Sequence, residues 1–494
     1  MSKKRARPAP ELTARPGFYA HELDIELLQC RDEGLDLRPY EDLIRAVAAL
    51  EPDENREKLA DTVYDMILGA KKLRGYKYIE PSDREGIFAL CEGGYTEKTP
   101  GTDLKKRIFG AWYGRIAGCL LGKPLEGIRT DELIPLLKET GNYPMSRWPL
   151  NEEMTDDLVK KYRFKLQGKC YIDNIDRVPA DDDTNYTVLA QMVIDRYGRD
   201  FTPDDIVSSW AALQPQNAYF TAEYAAYLNF VRGFRPPHTA TYKNHYREWI
   251  GAQIRADYFG YICPGRPDLA ADMAWRDASV SHVKNGIYGE MFVAAMLARA
   301  AVCDDIEEVI RCGMAYIPKT ARLYERLAYV VDAYKAGVPS EEVYAQIHRE
   351  FDEHTGYGWC HVIPNAMIVA SSLLYGEKDY GRSVCLAVQT GFDTDCNGAT
   401  VGSVLGMLIG LDRIGAQWTA PLRGTLETGI VKAGVKKIDA LAERTLEHIN
   451  GSGTHDYFGW NFKNSLPFDN DAVKAEDPAN ENNALPEAEK ICCP

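Results

Sequence analysis

Gly110-Ala111-Trp112-Tyr113-Gly114-Arg115-Ile116-Ala117-Gly118-Cys119-Leu120-Leu121-Gly122 carries a glycine at every fourth position. In a helix this spacing puts all four glycines on nearly one face. Each mid-helix glycine costs about 1 kcal/mol relative to alanine, so something must offset it. Close approach of another backbone is the usual reason. A second segment has the same device, at Gly398, Gly402, Gly406 and Gly410. The two helices are therefore expected to pack closely at the centre of the fold, with each other among the candidate partners.

The second stripe follows Gly391-Phe392-Asp393-Thr394-Asp395-Cys396-Asn397. Two carboxylates at the mouth of an apolar helix are costly to bury unless positive charge offsets them. A magnesium-type cation meets that need, since it takes oxygen ligands and few carboxylates. The competing reading is an acidic helix start, where Asp is favoured by the helix dipole. Two further acidic points stand beside apolar helices. Glu126 follows the first glycine helix through Lys123-Pro124-Leu125, and Asp181-Asp182-Asp183-Thr184 precedes Tyr186, Leu189, Met192 and Val193 at helical spacing. A cleft gathering the three points would hold six carboxylates, whose mutual repulsion would raise several pKa values. One or two divalent ions remove that problem, and paired ions in such clefts clamp and activate oxygen atoms.

The 494 residues suffice for a large core, and 45% hydrophobic with 27% charged content is ordinary for a globular enzyme. A net charge of -15 argues against nucleic acid or an anionic membrane as the main partner. No apolar run reaches the roughly 18 to 20 residues of a membrane span. The basic start lacks a following hydrophobic segment, so it is not a secretory signal. None of the 12 cysteines forms a Cys-x-x-Cys pair, which disfavours a zinc site or a disulfide scaffold. Cys119, Cys303, Cys312 and Cys385 read as small core residues. A reducing compartment, the cytoplasm, follows.

Along the chain, residues 1–100 read as a helical appendage with a loose, basic, Pro-rich beginning. Residues 101–450 read as the main domain, and 451–494 as an acidic, disordered tail. Helices are expected at 103–122, 204–213, 219–231, 243–257, 284–303, 304–314, 322–334, 341–351, 364–375, 380–390 and 438–449. A short extended piece is expected near 170–172. Without strand–helix alternation or a nucleotide-binding fingerprint, the fold class is all-α, a large compact multi-helix bundle.

The run from Gly110 to Gly122 with Pro124 and Glu126 resembles the opening motif of the ADP-ribosylglycohydrolase family, whose dinitrogenase reductase activating glycohydrolases it is similar to. Asp181-Asp182-Asp183-Thr184 is similar to the family's Thr-Asp-Asp-Thr motif, and Gly391 to Cys396 resembles its Gly-Gly-Asp-Thr-Asp-Thr motif. Ser281-His282 stands where the family has a Ser/Thr-His pair. The resemblance spans about Lys105 to Leu411, with the motifs in family order.

The resemblance implies an all-α domain with two magnesium ions, or manganese, in a cleft. It implies a hydrolase that cleaves a glycosidic bond at the C1″ carbon of a ribose. Carried over, Asp181, Asp182, Asp183, Asp393 and Asp395 are metal ligands and Glu126 is the acid/base. His282 would lie near the ribose, with a structural histidine as the alternative. Asn285, with Lys284 and Tyr288, opens a helix whose backbone N–H groups suit an anion. Arg255 would contact substrate, with an ion pair to Asp257 or a neighbour as the alternative. Trp210, Tyr219, Phe220 and Tyr224 read as core.

Three positions depart from the family pattern: Asp181 and Cys396 replace threonines, and Cys119 stands where Asp is frequent. Cysteine is a softer, poorer partner for magnesium. Expected partners are a ribosylated small molecule, a nucleotide or an ADP-ribosylated protein, with no nucleic acid and no membrane. A metal-dependent nucleotide phosphohydrolase, or a non-catalytic ADP-ribose-binding or structural member, are the other readings.

Overall fold

The computed structural model of the protein describes residues 19–451. The basic leader at 1–18 and nearly all of the acidic tail, from 452 onward, lie outside the described residues. Helices carry nearly all the regular structure, and the fold class is all-α. Two three-residue strands, Thr425–Glu427 and Val435–Lys437, pair antiparallel with Thr425 opposite Lys437.

The two glycine helices, Leu104–Gly122 and Thr394–Ile409, form the centre. They run antiparallel with glycine facing glycine. A Cβ on Gly114 would fall under 3.0 Å from the Gly402 backbone, and one on Gly118 would strike Gly398. The reverse holds for Cβ atoms on Gly398, Gly402 and Gly406. Close backbone approach therefore offsets the poor helix propensity of these residues. The stripe ends at Gly410, which caps its helix with φ 78°. The Asn285–Ala300 helix is buried on every side and packs against the Thr394–Ile409 helix of this pair.

Most expected helices lie within a few residues of their observed limits, such as Pro203–Leu213, Arg322–Lys335 and Ile438–Ile449. Residues 243–257 are the main correction. They fold as turns, a 3₁₀ turn at Gln253–Arg255 and the short helix Asp257–Tyr261. Lys243 has φ 48°, and the backbone there pairs with another segment instead of itself. Ile250 N–H donates to Cys360 O at 2.9 Å, and Val362 N–H to Glu248 O at 3.1 Å. The piece at 170–172 is not a strand, since the Asn174 side chain folds it into a turn by accepting from Tyr171 N–H at 2.9 Å. Helices at Thr130–Glu139 and Pro267–Ala278 were not anticipated. Trp210, Tyr219 and Tyr224 are core, whereas Phe220 is exposed.

Residues 19–70 have a small core of their own, including Leu23, Leu27, Ile44, Val47, Val63 and Ile67. It meets the remainder through buried ion pairs. Arg247 bonds Glu26 at 2.9 Å and Glu33 at 2.6 Å. Within the remainder, Arg322 bonds Glu80 at 2.9 Å and Glu248 at 2.7 Å. Such pairs contribute little net stability but penalise any arrangement that separates them.

Candidate functional site

The glycine register decides where the acidic motifs meet. Because the helices are antiparallel, the last turn of the first lies against the first turn of the second. Gly122 abuts the Thr394–Asp395 backbone, and Thr394 Oγ1 donates to Gly122 O at 3.0 Å. Beyond Gly122 the Lys123–Leu125 turn, with Pro124 at its start, delivers Glu126. On the other side Gly391 (φ 78°) and Phe392 (φ 57°) turn the chain into Asp393, the helix N-cap. A positive φ at Phe392 costs roughly 1–2 kcal/mol, and the buried ring against His348 helps hold it. The third wall is Asp181, N-cap of the Asp182–Tyr197 helix, which accepts from Asp183 N–H at 2.9 Å.

All six carboxyl groups meet here, but their surroundings differ. Asp181, Asp183, Asp393 and Asp395 are buried, Asp182 is half-buried and Glu126 is open to solvent at the rim of a recess. Carboxylate oxygens of Asp183 and Asp395 and the sulfur of Cys396 lie within 4.8 Å of one another. So do Cys119, Asp181 and Asp183. Asp183 Oδ2 and Asp395 Oδ1 are buried without a hydrogen-bond partner.

Two basic side chains pair with the cluster. Arg115 reaches Asp183 Oδ1 at 3.2 Å and is shared with Asp257 at 2.7 Å. Lys123 pairs with Asp181 at 2.5 Å. Burial pushes up the carboxyls of Asp182, Asp183, Asp393 and Asp395, and neighbouring carboxylates add to it. Burial acts on Asp181 in the same sense, but Lys123 outweighs it and holds that carboxyl low. Glu126 is pushed up to about 7, first by its recess and then by Asp393 and Asp181.

Of the five expected ligands, Asp181, Asp183 and Asp395 enter the close clusters. Asp182 and Asp393 stand beside them, with Asp393 Oδ2 accepting from Cys360 Sγ at 3.2 Å. Of the three expected substrate residues, Arg255 and Asn285 are held by partners within the chain and His282 is buried beside Ser281. Arg255 is buried and pairs with Glu223 and Asp277, both at 2.5 Å, with Glu290 at 3.7 Å. Its anticipated partner Asp257 pairs with Arg115 instead. Three carboxylates leave that guanidinium committed to the core rather than to substrate. Asn285 donates to Glu80 at 2.8 Å and accepts from Leu323 N–H at 3.1 Å, so its amide is in use. The helix start read as an anion site is covered by this chain's own 80–82 segment, with Lys284 N–H bonded to Ser82 Oγ at 3.1 Å. His282 is buried against Ser281, 2.8 Å from its Nδ1, while its Nε2 has no partner. Burial and then Arg255 keep the imidazole neutral.

Sequence reading missed Arg115; Cys119 is buried as expected, and its sulfur also lies with Asp181 and Asp183. An arginine in the middle of an otherwise apolar, glycine-striped helix was the available signal for Arg115. The donor set fits a divalent cation. Buried, partnerless carboxylate oxygens among like charges are otherwise hard to sustain.

Fold and site together define a class: an all-α domain whose acidic cluster sits where two antiparallel glycine helices end. The chain belongs to the ADP-ribosylglycohydrolase family, whose model matches residues 100–454. It is also similar to a solved ADP-ribosylglycohydrolase-related protein complex, at 17% identity and TM-score 0.46, over 72% of this chain and 100% of that one. No curated protein matches it. Among the described residues no helix is long and apolar enough to cross a membrane.

Proposed function

We propose that this chain is a metal-dependent glycohydrolase that cleaves a ribosyl N- or O-glycosidic bond of an ADP-ribosyl or related nucleotide substrate. The observation that carries the reading is a division of labour among carboxyls. Glu126 stands open to solvent above a buried cluster in which Asp183 and Asp395 keep partnerless oxygens. Asp181, Asp182, Asp183, Asp393 and Asp395 would hold one or two magnesium or manganese ions, which when bound supply Lewis-acid polarisation of substrate oxygens.

The chain's own residues do the rest. Glu126 can take a proton from water or give one to the leaving group, because its carboxyl is open to solvent beside the acidic cluster. Glycosidic cleavage needs such a group while charge builds at the anomeric carbon. Arg115 fixes Asp183 from below by donating to its carbonyl at 2.7 Å, and Lys123 orients Asp181. The proposed substrates are a ribosylated small molecule, a nucleotide or an ADP-ribosylated protein, and the assay offers each.

We further propose a division into residues 1–100, the domain at 101–450 and a tail at 451–494, in a cytoplasmic setting inferred from cysteine usage. Purified protein with magnesium or manganese, incubated with an ADP-ribosylated peptide and with free ribosyl nucleotides, tests the activity by mass spectrometry. The expected product is free ADP-ribose or ribose phosphate with a hydroxyl at C1. Phosphate release with the C1 bond intact would instead define a phosphohydrolase. Saturable ADP-ribose binding without turnover of any substrate would define a binding protein.

A further inference from the structure

Three thiols face the acidic cluster. Cys119 lies with Asp181 and Asp183, Cys396 with Asp183 and Asp395, and Cys360 donates to Asp393. All three are buried. Magnesium sites are built from oxygen, usually with several waters. A sulfur among the donors is poorly suited to such an ion, and a neutral thiol is only a weak hydrogen-bond donor.

Cys396 has the strongest case for a different role. Its sulfur converges with Asp183 and Asp395, each of which keeps a buried oxygen without any hydrogen-bond partner. Those oxygens point to a missing ligand independently of the cysteine. A set of two carboxylates and one sulfur matches the mixed oxygen and sulfur coordination of borderline-soft ions. We infer that Asp183, Asp395 and Cys396 form a site for a borderline-soft divalent cation of the zinc or cobalt class. Binding exchanges the thiol proton for the ion, the proton passes to solvent, and the sulfur becomes an anionic ligand. Cys119, which also neighbours Asp183, flanks this site without being assigned as a ligand. The inference rests on the metal-holding role proposed for Asp183 and Asp395 and replaces magnesium or manganese between them with an ion of the zinc or cobalt class; it does not rest on the bond cleaved.

Cobalt is the probe, because thiolate ligation gives a sulfur-to-cobalt charge-transfer band in the near ultraviolet. The full chain, stripped with chelator, is titrated with Co²⁺ and, by calorimetry, with Zn²⁺ and Mg²⁺. Wild type should show the band at one equivalent. Cys396→Ser should lose it while still binding Co²⁺ and keeping its far-ultraviolet circular dichroism. Zinc outcompetes magnesium at most sites, so the bare ratio decides little. The ratio should fall at least tenfold in Cys396→Ser and hold in Cys119→Ser.

Bound cobalt without the band overturns the inference, as does a band unchanged in Cys396→Ser or lost in Cys119→Ser. Failure to bind cobalt at all overturns it too. Turnover of ribosyl substrates is read separately. The band without turnover leaves this site standing and removes the glycohydrolase reading. Turnover with magnesium and no band does the reverse.

Discussion

Gly118→Ala tests the device that builds the site. A Cβ at this position would meet Gly398 O and its carbonyl carbon under 3.0 Å, and both belong to backbone. Side chains cannot move aside, so the helices must separate. Overpacking costs typically 1–3 kcal/mol, and a backbone obstacle argues for the upper end. Alanine returns about 1 kcal/mol through its better helix propensity. The net loss is then about 2 kcal/mol, which lowers the folding equilibrium up to roughly 30-fold. Thermal unfolding followed by circular dichroism should show a midpoint lowered by several degrees, since each kcal/mol moves it by about 2–4 °C or less in a long chain.

Gly69→Ala is the control. It lies at a helix end where the nearest atom to a new Cβ is an ordinary 3.6 Å away, so its midpoint should hold or rise. The pair Gly118→Ala with Gly398→Ala adds a sharper test. Each Cβ presses on the other's backbone, so once the helices part at this level the second methyl costs less than it would alone. A single mutant as stable as wild type, or two strictly additive losses, would refute the packing argument.

Glu126→Gln should reduce turnover by about 10²- to 10⁴-fold, with the melting midpoint near pH 7 held or raised, because the neutral amide removes a carboxyl whose ionisation burial, Asp393 and Asp181 oppose; a fully active variant would remove it from catalysis. Arg115→Met should destabilise by about 3–5 kcal/mol, the range for breaking a buried pair, because Asp183 and Asp257 lose their shared partner. Added Mg²⁺ should restore part of the loss in a thermal melt, and an unchanged midpoint without metal would show the pair to be dispensable. Stability should also fall in two stages on acidification. Burial and then Arg247 depress His245 to about 3 from 6.5, so the unfolded chain takes that proton first and stability is lost as pH falls below 6.5. Burial alone would raise Glu33, but Arg247 and Lys284 outweigh it and hold it well below 4.5, so its contribution is full above 4.5 and lost as pH falls further. Melting midpoints between pH 7.5 and 4 should fall less throughout the range below 6.5 in His245→Phe and less only toward and below 4.5 in Glu33→Gln; parallel curves would contradict both assignments.

Local patterns account for what was legible beforehand. A glycine every fourth residue constrains one helix face, and a carboxylate before an apolar run marks a helix start, because both depend on neighbours within one or two turns. The all-α class, the two central helices and the acidic walls at Glu126, Asp181 to Asp183 and Asp393 to Asp395 could therefore be read directly. Residues 243–257 had helical periodicity, yet two of their backbone bonds go to 360 and 362, over a hundred residues away.

The sequence by itself determined which carboxylates belong to the cluster and which helices carry them. Only the tertiary structure decided the partners. It committed Arg255 to Glu223 and Asp277, spent the Asn285 amide on Glu80, shared Arg115 between Asp183 and Asp257, and turned Cys119 and Cys396 toward the acids. The reason is physical. Helix formation follows from short-range geometry, whereas a buried polar group must take whichever complementary group packing brings within about 3 Å.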